Sequence, residues 1–235
     1  MGGMGEKGEI MYQYIPINEV EPYRKKCSRQ LNKLLPALRN KYGINAYFTL
    51  VGSGRRDMVT RNGDNGPFDL DYNLIIRSMP PKYERSPGKL KTDIRITLDP
   101  YMRSIGMSNG KDSTSAITYH DSDDFHFDLA IYRLSSDDKK EILKFDKQSN
   151  AYIWNELPNS NYINRKADAI RNAGFDELLR QRYLAKKNIY LSRQNNDHPS
   201  YNVYIEVVNE IYYIFCSHLG NSIRLTYSSG IQRSI

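Results

Sequence analysis

Hydrophobic positions at Cys27, Leu31, Leu34, Leu35, Leu38 and Tyr42 recur at three- and four-residue steps, the period of a helix that buries one face. The spacing predicts a helix from about Pro22 to Tyr42, with Pro22 at the first helical position and Gly43 just past the last turn. Pro36 inside it predicts a kink or a split. The run Ala46 to Gly52 is rich in β-formers and predicts a buried strand. Gly54, Gly63, Gly66 and Pro67 mark Ser53 to Phe68 as a long exposed loop. Asp69 to Ile76 predicts a second strand, polar where it begins and apolar where it ends. Ser86-Pro87 reads as an N-cap and first helical position. Leu90, Ile94, Leu98, Met102 and Ile105 carry that helix to about Gly106, interrupted near Pro100. After the turn Asn109-Gly110, the segments Ser115 to His120 and Phe125 to Leu134 predict an antiparallel hairpin across the acidic turn Asp121 to Asp124.

Beyond Asp146 the pattern becomes helical, with helices predicted over Asn161 to Asn172, Asp176 to Asn188 and Tyr201 to Leu219, and a loop at Asn195 to Pro199. In the last helix Tyr201, Tyr204, Ile205, Val208, Ile211, Tyr212 and Phe215 form a stripe that Val203, Val207 and Ile214 widen. A helix apolar over so much of its girth is expected to be mostly buried, and Tyr212-Tyr213 reads as core. The chain therefore predicts an α+β class: a flexible start over 1–15, an α+β domain over 16–146 and a helical region over 147–235.

Length and composition sharpen this picture a little. At 235 residues the chain can bury a core without disulfide staples, and 19 tyrosines argue against disorder. A net charge of +7 favours an anionic partner such as a nucleotide or nucleic acid. No apolar run approaches the roughly 20 residues of a membrane span. Cys27 and Cys216 lie far apart, and no secretory segment is seen at the N-terminus. Two reduced thiols in a cytoplasmic protein are the expectation.

The chemistry lies in the acidic residues. On a strand, residues two apart share a face, so Asp69 and Asp71 present adjacent carboxylates that raise each other's pKa unless positive charge sits between them. A divalent cation is the usual remedy, and oxygen ligands favour Mg²⁺ or Mn²⁺. In the strand beginning at Phe125, the residues Phe125, Phe127, Leu129 and Ile131 fall on one face. Asp128 falls on the other, with His126, Ala130 and Tyr132. If the two acidic strands are neighbours, three carboxylates meet on one patch and can hold two metals about 3.5–4 Å apart, as in phosphoryl and nucleotidyl transfer. Gly52 at a strand end allows close backbone approach to a ligand. With the Ser53 hydroxyl and the following N–H groups it can cradle phosphates, and Arg55 and Arg56 stand next in line to supply charge.

The run Val51-Gly52-Ser53, then Asp69-Leu70-Asp71, then Asp128 on a later strand, resembles the signature of the nucleotidyltransferase superfamily that includes DNA polymerase β. The resemblance covers roughly residues 44–134, with a spacer from Gly54 to Phe68 longer than is usual. It implies a polymerase-β-like palm, a mixed sheet with flanking helices, over 16–146, followed by the helical C-terminal region. It implies further that Asp69 and Asp71 ligate both catalytic metals, Mg²⁺ or Mn²⁺, and that Asp128 ligates the metal that activates the acceptor hydroxyl. Gly52 and Ser53 would bind the triphosphate of an NTP donor such as ATP. The reaction would move a nucleoside monophosphate onto a hydroxyl and release pyrophosphate. The acceptor stays open: an RNA end, a small molecule, a second nucleotide or a protein side chain.

Other readings accompany these. Asp69 and Asp71 could be solvated acids at a strand end, and Asp128 a buried ion-pair partner of Arg133 or Arg95. His120 and His126 flank the acidic turn without a further Cys or His at ligand spacing, so no zinc site is predicted. The stretch Arg180 to Lys187 reads as a solvated helix face, with nucleic-acid contact as the alternative. No nucleophile triad, P-loop or dinucleotide-binding glycine motif is present. Two rival functions use the same residues: a catalytically silent nucleotide- or nucleic-acid-binding module of antitoxin type, and a metal-dependent phosphohydrolase.

Overall fold

A computed structural model describes residues 11–122, 125–135, 137–158, 161–192 and 199–229. The chain divides into two units, Met1–Pro158 and Asn159–Ile235. The first is built on helix α1 (Ile17–Tyr42), whose buried stripe is Val20, Cys27, Gln30, Leu31, Leu34 and Leu38. The helix begins before the expected Pro22, because Val20 is itself a core residue and draws another turn onto the sheet. Pro22 lies inside the helix, as does Pro36, and neither ends it. Gly43 does: it adopts φ +68°, and its N–H donates to the Arg39 carbonyl at 3.0 Å. That left-handed exit is open to glycine at little cost.

Strands β1 (Tyr12–Tyr14) and β3 (Thr60–Asn62) form a small antiparallel ribbon, so Tyr12–Tyr14 departs from the expected flexible start. The main sheet contains β2 (Asn45–Leu50), β4 (Phe68–Ser78), β5 (Lys111–Asp112), β6 (Ala116–His120) and β7 (Phe125–Leu134). Their order is β2-β4-β7-β6-β5. Among the described residues only one pair, β4 and β7, is parallel; β6 and β7 form the expected antiparallel hairpin. Two further strands, β8 (Lys140–Asp146) and β9 (Ala151–Glu156), extend the sheet from the far end of β7. The sheet thus runs past residue 146, where a change to helices was expected. Alternation is poor in this hairpin, and no turn dipeptide announces it.

One face of the sheet is apolar. Leu70, Tyr72, Leu74, Phe127, Leu129, Ile131, Ile117 and Tyr119 are all buried in one cluster with Leu31, Leu34 and Leu38 of α1. Leu90, Ile94 and Leu98 of α4 (Pro87–Arg103) complete it. Helix α4 passes through Pro100 uninterrupted and stops at Arg103, short of Gly106. Three buried charges on α4 are each satisfied. Lys91 Nζ donates to the Ser113 carbonyl at 2.8 Å, Asp93 accepts from the Tyr83 hydroxyl at 2.8 Å, and Asp99 accepts from the Gly110 N–H at 3.0 Å. Buried charges are affordable only when paired in this way. A short helix, α3 (Pro81–Arg85), precedes α4.

The second unit is helical: α5 (Asn161–Asn172), α6 (Asp176–Ser192) and α7 (Ser200–Ser229). Its buried residues include Ile163, Ile170, Leu179, Tyr183, Val203, Tyr204, Val207, Val208 and Ile211. The buried stripe of α7 is narrower than expected, with Tyr201 and Ile214 exposed and Tyr213 77% exposed, so Tyr213 is not core. Within this unit α5 and α6 pack against α7, and two helices cannot enclose its full girth. The predicted loop Asn195 to Pro199 lies almost wholly outside the described residues. On α6, Lys186 pairs with Glu206 at 3.1 Å and with Glu210, both on α7. That part of the basic stretch therefore holds two helices together. Among the described residues no helix is long and apolar enough to cross a membrane.

Candidate active site

The opposite face of the same sheet is polar, and its residues interleave with those of the core. On β7 the buried Phe125, Phe127, Leu129 and Ile131 alternate with half-buried His126, Asp128, Ala130 and Tyr132. On β4, Asp69 is exposed, Asp71 half-buried and Asn73 only 8% exposed. Because β4 and β7 are neighbours, Asp71 lies directly across from Asp128 and Asp69 across from His126. The three predicted carboxylates therefore share one face and two adjacent strands. They are not closed into a ligand cage: among the described residues, no three His, Cys, Asp or Glu side chains are grouped so as to hold a metal ion as they stand.

Electrostatics mark Asp71 as the strained member. Burial first, then the neighbouring charges of Asp69 and Asp128, push its carboxyl up to about 7, while Arg56 pulls the other way. A carboxyl so placed is stabilised in its charged form by added positive charge. The donor set consists of hard carboxylate oxygens beside a backbone turn, which fits Mg²⁺ or Mn²⁺ on chemical grounds.

Asp128 makes neither of the ion pairs weighed from sequence. Arg133 is taken by Glu141 at 2.6 Å and by Glu84, and Arg95 by Asp112 at 3.3 Å. Instead Asp128 accepts a hydrogen bond from the Thr118 hydroxyl at 2.5 Å, across the β6–β7 hairpin where the two residues are register partners. Sequence reasoning missed Thr118. The hairpin register held the signal, because counting outward from the turn sets Thr118 opposite Asp128.

The segment expected to be an exposed loop after Gly52 begins as a helical turn, α2 (Gly52–Arg55), and continues through buried Met58 and Val59 into β3. The apolar Met58-Val59 pair is what pulls it in. Val51 donates its N–H to the Asp71 carbonyl at 2.9 Å, tying the turn to the acidic strand. Gly52 has φ +62°, and a Cβ built there would fall on the Asp71 carboxylate. Glycine is thus required at position 52 for backbone conformation and for space at once. Gly54 is likewise close-packed, with Leu70 and Leu50 where a Cβ would go.

Ser53 is half-buried, and its carbonyl accepts from the N–H groups of Arg56 at 3.1 Å and Met58 at 3.0 Å. Arg56 is half-buried and close enough to act on Asp71, whereas Arg55 is exposed. The two arginines are therefore not equivalent. From α1, Arg24 donates to the Gly54 carbonyl and to Asp57 at 2.7 Å, which anchors the turn from behind. Arg24 too was missed, since nothing local in α1 distinguishes it from the neighbouring Lys25 and Lys26.

No protein-family model and no curated protein matches the chain. Solved structures do. Vibrio cholerae DncV cyclic AMP-GMP synthase, in complex with the linear intermediate 5' pppA(3',5')pG, aligns with a TM-score of 0.50 at 15% identity, over 72% of this chain and 47% of that one. Bradyrhizobium diazoefficiens CD-NTase CdnG in complex with GTP aligns with a TM-score of 0.45 at 20% identity, over 68% and 44%. Rhodothermus marinus CdnE c-UMP-AMP synthase aligns with a TM-score of 0.47 at 13% identity, over 77% and 69%. The chain spans less than half the length of DncV and CdnG. The likeness to DncV shows a shared fold, in agreement with the α+β nucleotidyltransferase-type core read from the sequence. Fold alone does not carry activity.

Proposed function

We propose that this chain is a nucleotidyltransferase that moves a nucleoside monophosphate from an NTP onto a hydroxyl acceptor. The observation that carries the reading is the meeting of Asp71 with both Asp128 and Gly52: one carboxylate across a parallel strand pair, and one glycine pressed against it. Chemistry on a phosphate needs this combination, with acidic oxygens beside a backbone that admits an anion closely.

In this reading Asp69, Asp71 and Asp128 would hold divalent cations, Mg²⁺ or Mn²⁺, and these would supply charge neutralisation to the phosphates and acidity to the acceptor hydroxyl. The Gly52–Ser53 backbone and the Ser53 hydroxyl bind the triphosphate, and Arg56, rather than Arg55, lends it positive charge. Arg24 keeps the turn in place. Asp128, oriented by Thr118, receives the proton as the acceptor oxygen bonds to the α-phosphorus. The bond from the α-phosphorus to the bridging oxygen breaks, and pyrophosphate leaves.

The test uses each of the four α-³²P NTPs with Mg²⁺ and a cell extract separated into RNA, protein and small-molecule fractions. An Asp69→Ala/Asp71→Ala double variant runs alongside. Label retained in one fraction with the parent protein alone is the expected result and names donor and acceptor class together. Equal NTP binding by both proteins without transfer would instead make the chain a binding module. Release of phosphate without retained label would make it a phosphohydrolase.

A further inference from the structure

The sheet order assigns sides to the site. The Gly52 turn follows β2, Asp69 and Asp71 lie on β4, Asp128 on β7, and β6 comes next. If the donor phosphates sit at the turn, as proposed above, an acceptor that gives its proton to Asp128 comes from the β7–β6 side. The floor there consists of two transverse rows fixed by register. One row is Asp71, Asp128 and Thr118; the other is Asp69, His126 and His120. In the first row Thr118 is committed to Asp128. In the second the two imidazoles are half-buried, with ring centroids 5.9 Å apart and planes inclined at 66°. Among the described residues neither ring has a hydrogen-bond partner.

An imidazole offers a ring N–H donor, a ring nitrogen acceptor and a flat face. A pair of them left open beside the reacting carboxylate is equipped to hold a planar heterocycle by its edge and face. The two rows contain no Lys or Arg to meet a phosphate, whereas an uncharged base needs none. We propose that His120 and His126 form the acceptor subsite and that it takes a nucleoside, with a ribose hydroxyl directed to Asp128. They determine acceptor specificity and do not enter the chemistry. A free nucleoside or nucleotide and an RNA 3′ end share this chemistry, and the test separates them.

The inference rests on the proposed donor site, so that site is loaded first. The full chain is saturated with a non-hydrolysable NTP analogue and Mg²⁺, with binding read by calorimetry. The ¹³C-labelled histidines are then followed by NMR while adenosine, guanosine, cytidine, uridine or a short oligoribonucleotide is added. The chain has only 4 histidines, and His120→Gln and His126→Gln assign the two signals. We expect both signals to shift on the second addition. We also expect His126→Ala to weaken binding of the second ligand about tenfold, the worth of one lost hydrogen bond with its contacts, with analogue affinity unchanged. Unchanged analogue affinity also shows that the variant is folded. A response to nucleosides points to a free acceptor, and a response to the oligonucleotide alone to an RNA end. Loading of the analogue without any shift, or wild-type affinity for the second ligand in His126→Ala, overturns this inference and leaves the donor reading standing. Failure of the analogue to bind overturns the donor reading and this one with it.

Discussion

The two faces of β4 are one residue apart in sequence and opposite in purpose. Leu70, Tyr72 and Leu74 are buried among apolar neighbours and hold the sheet to its helices. Asp69, Asp71 and Asn73, interleaved with them, face away, and the two aspartates bring like charges together there. The core face gains from every contact it makes. The site face stores unfavourable electrostatics, most plainly at Asp71, which protonation or a ligand of opposite charge relieves. From this difference we expect substitutions at adjacent positions to act separately, on stability at the core face and on ligand binding at the polar face.

The largest effect is expected on the core face. Leu74 is fully buried, and Leu74→Ala is expected to cost about 2–5 kcal/mol of unfolding free energy, from lost transfer and the cavity left behind. Urea denaturation measures it, and a loss below about 1 kcal/mol would mean that this face is not the core. Asp71→Asn should act in the opposite sense. An acid whose pKa is raised in the folded state binds more protons there than when unfolded, so stability falls as pH rises from about 4 through 7. In chelator-treated protein at pH 8, Asp71→Asn should therefore be more stable than the parent. The gain is roughly 1–2 kcal/mol, discounted for partial solvent screening, and it should vanish near pH 4. Melting curves at the two pH values test this. A variant less stable than its parent at pH 8 would show that the site face stores no strain.

The smallest effect is expected at Thr118→Val, which keeps the shape but removes the hydroxyl from Asp128. Transfer activity should fall about tenfold, in line with a lost hydrogen bond to a charged group, with little change in melting temperature. Thr118→Ser should recover most of it. If serine fails to rescue, packing rather than orientation of Asp128 is the role of this position.

Much of this was legible in the chain. Period-two alternation at Phe125 to Tyr132 separates core from site without a structure, because a strand must send alternate residues to opposite faces. The same rule sets Asp69 beside Asp71. The helix ending at Gly43 could be read from one residue, since a left-handed exit favours glycine. The β8–β9 hairpin, the early start of α1 and the folding of the segment after Gly52 could not. Each depends on apolar residues, such as Val20, Met58 and Leu143, whose value is set by partners distant in sequence.

Read alone, the chain shows which residues bear charge, which strand faces are apolar, and that Gly52 and three aspartates stand in an order resembling the nucleotidyltransferase signature. That β4 and β7 lie side by side in parallel is seen in the folded chain alone. From that one pairing follow the meeting of Asp71 with Asp128, the rise in the Asp71 pKa and the row of Asp69, His126 and His120. Local pattern specifies what a strand presents on each face. Which strand lies next to it, and in what register, is a long-range choice made by packing the whole core.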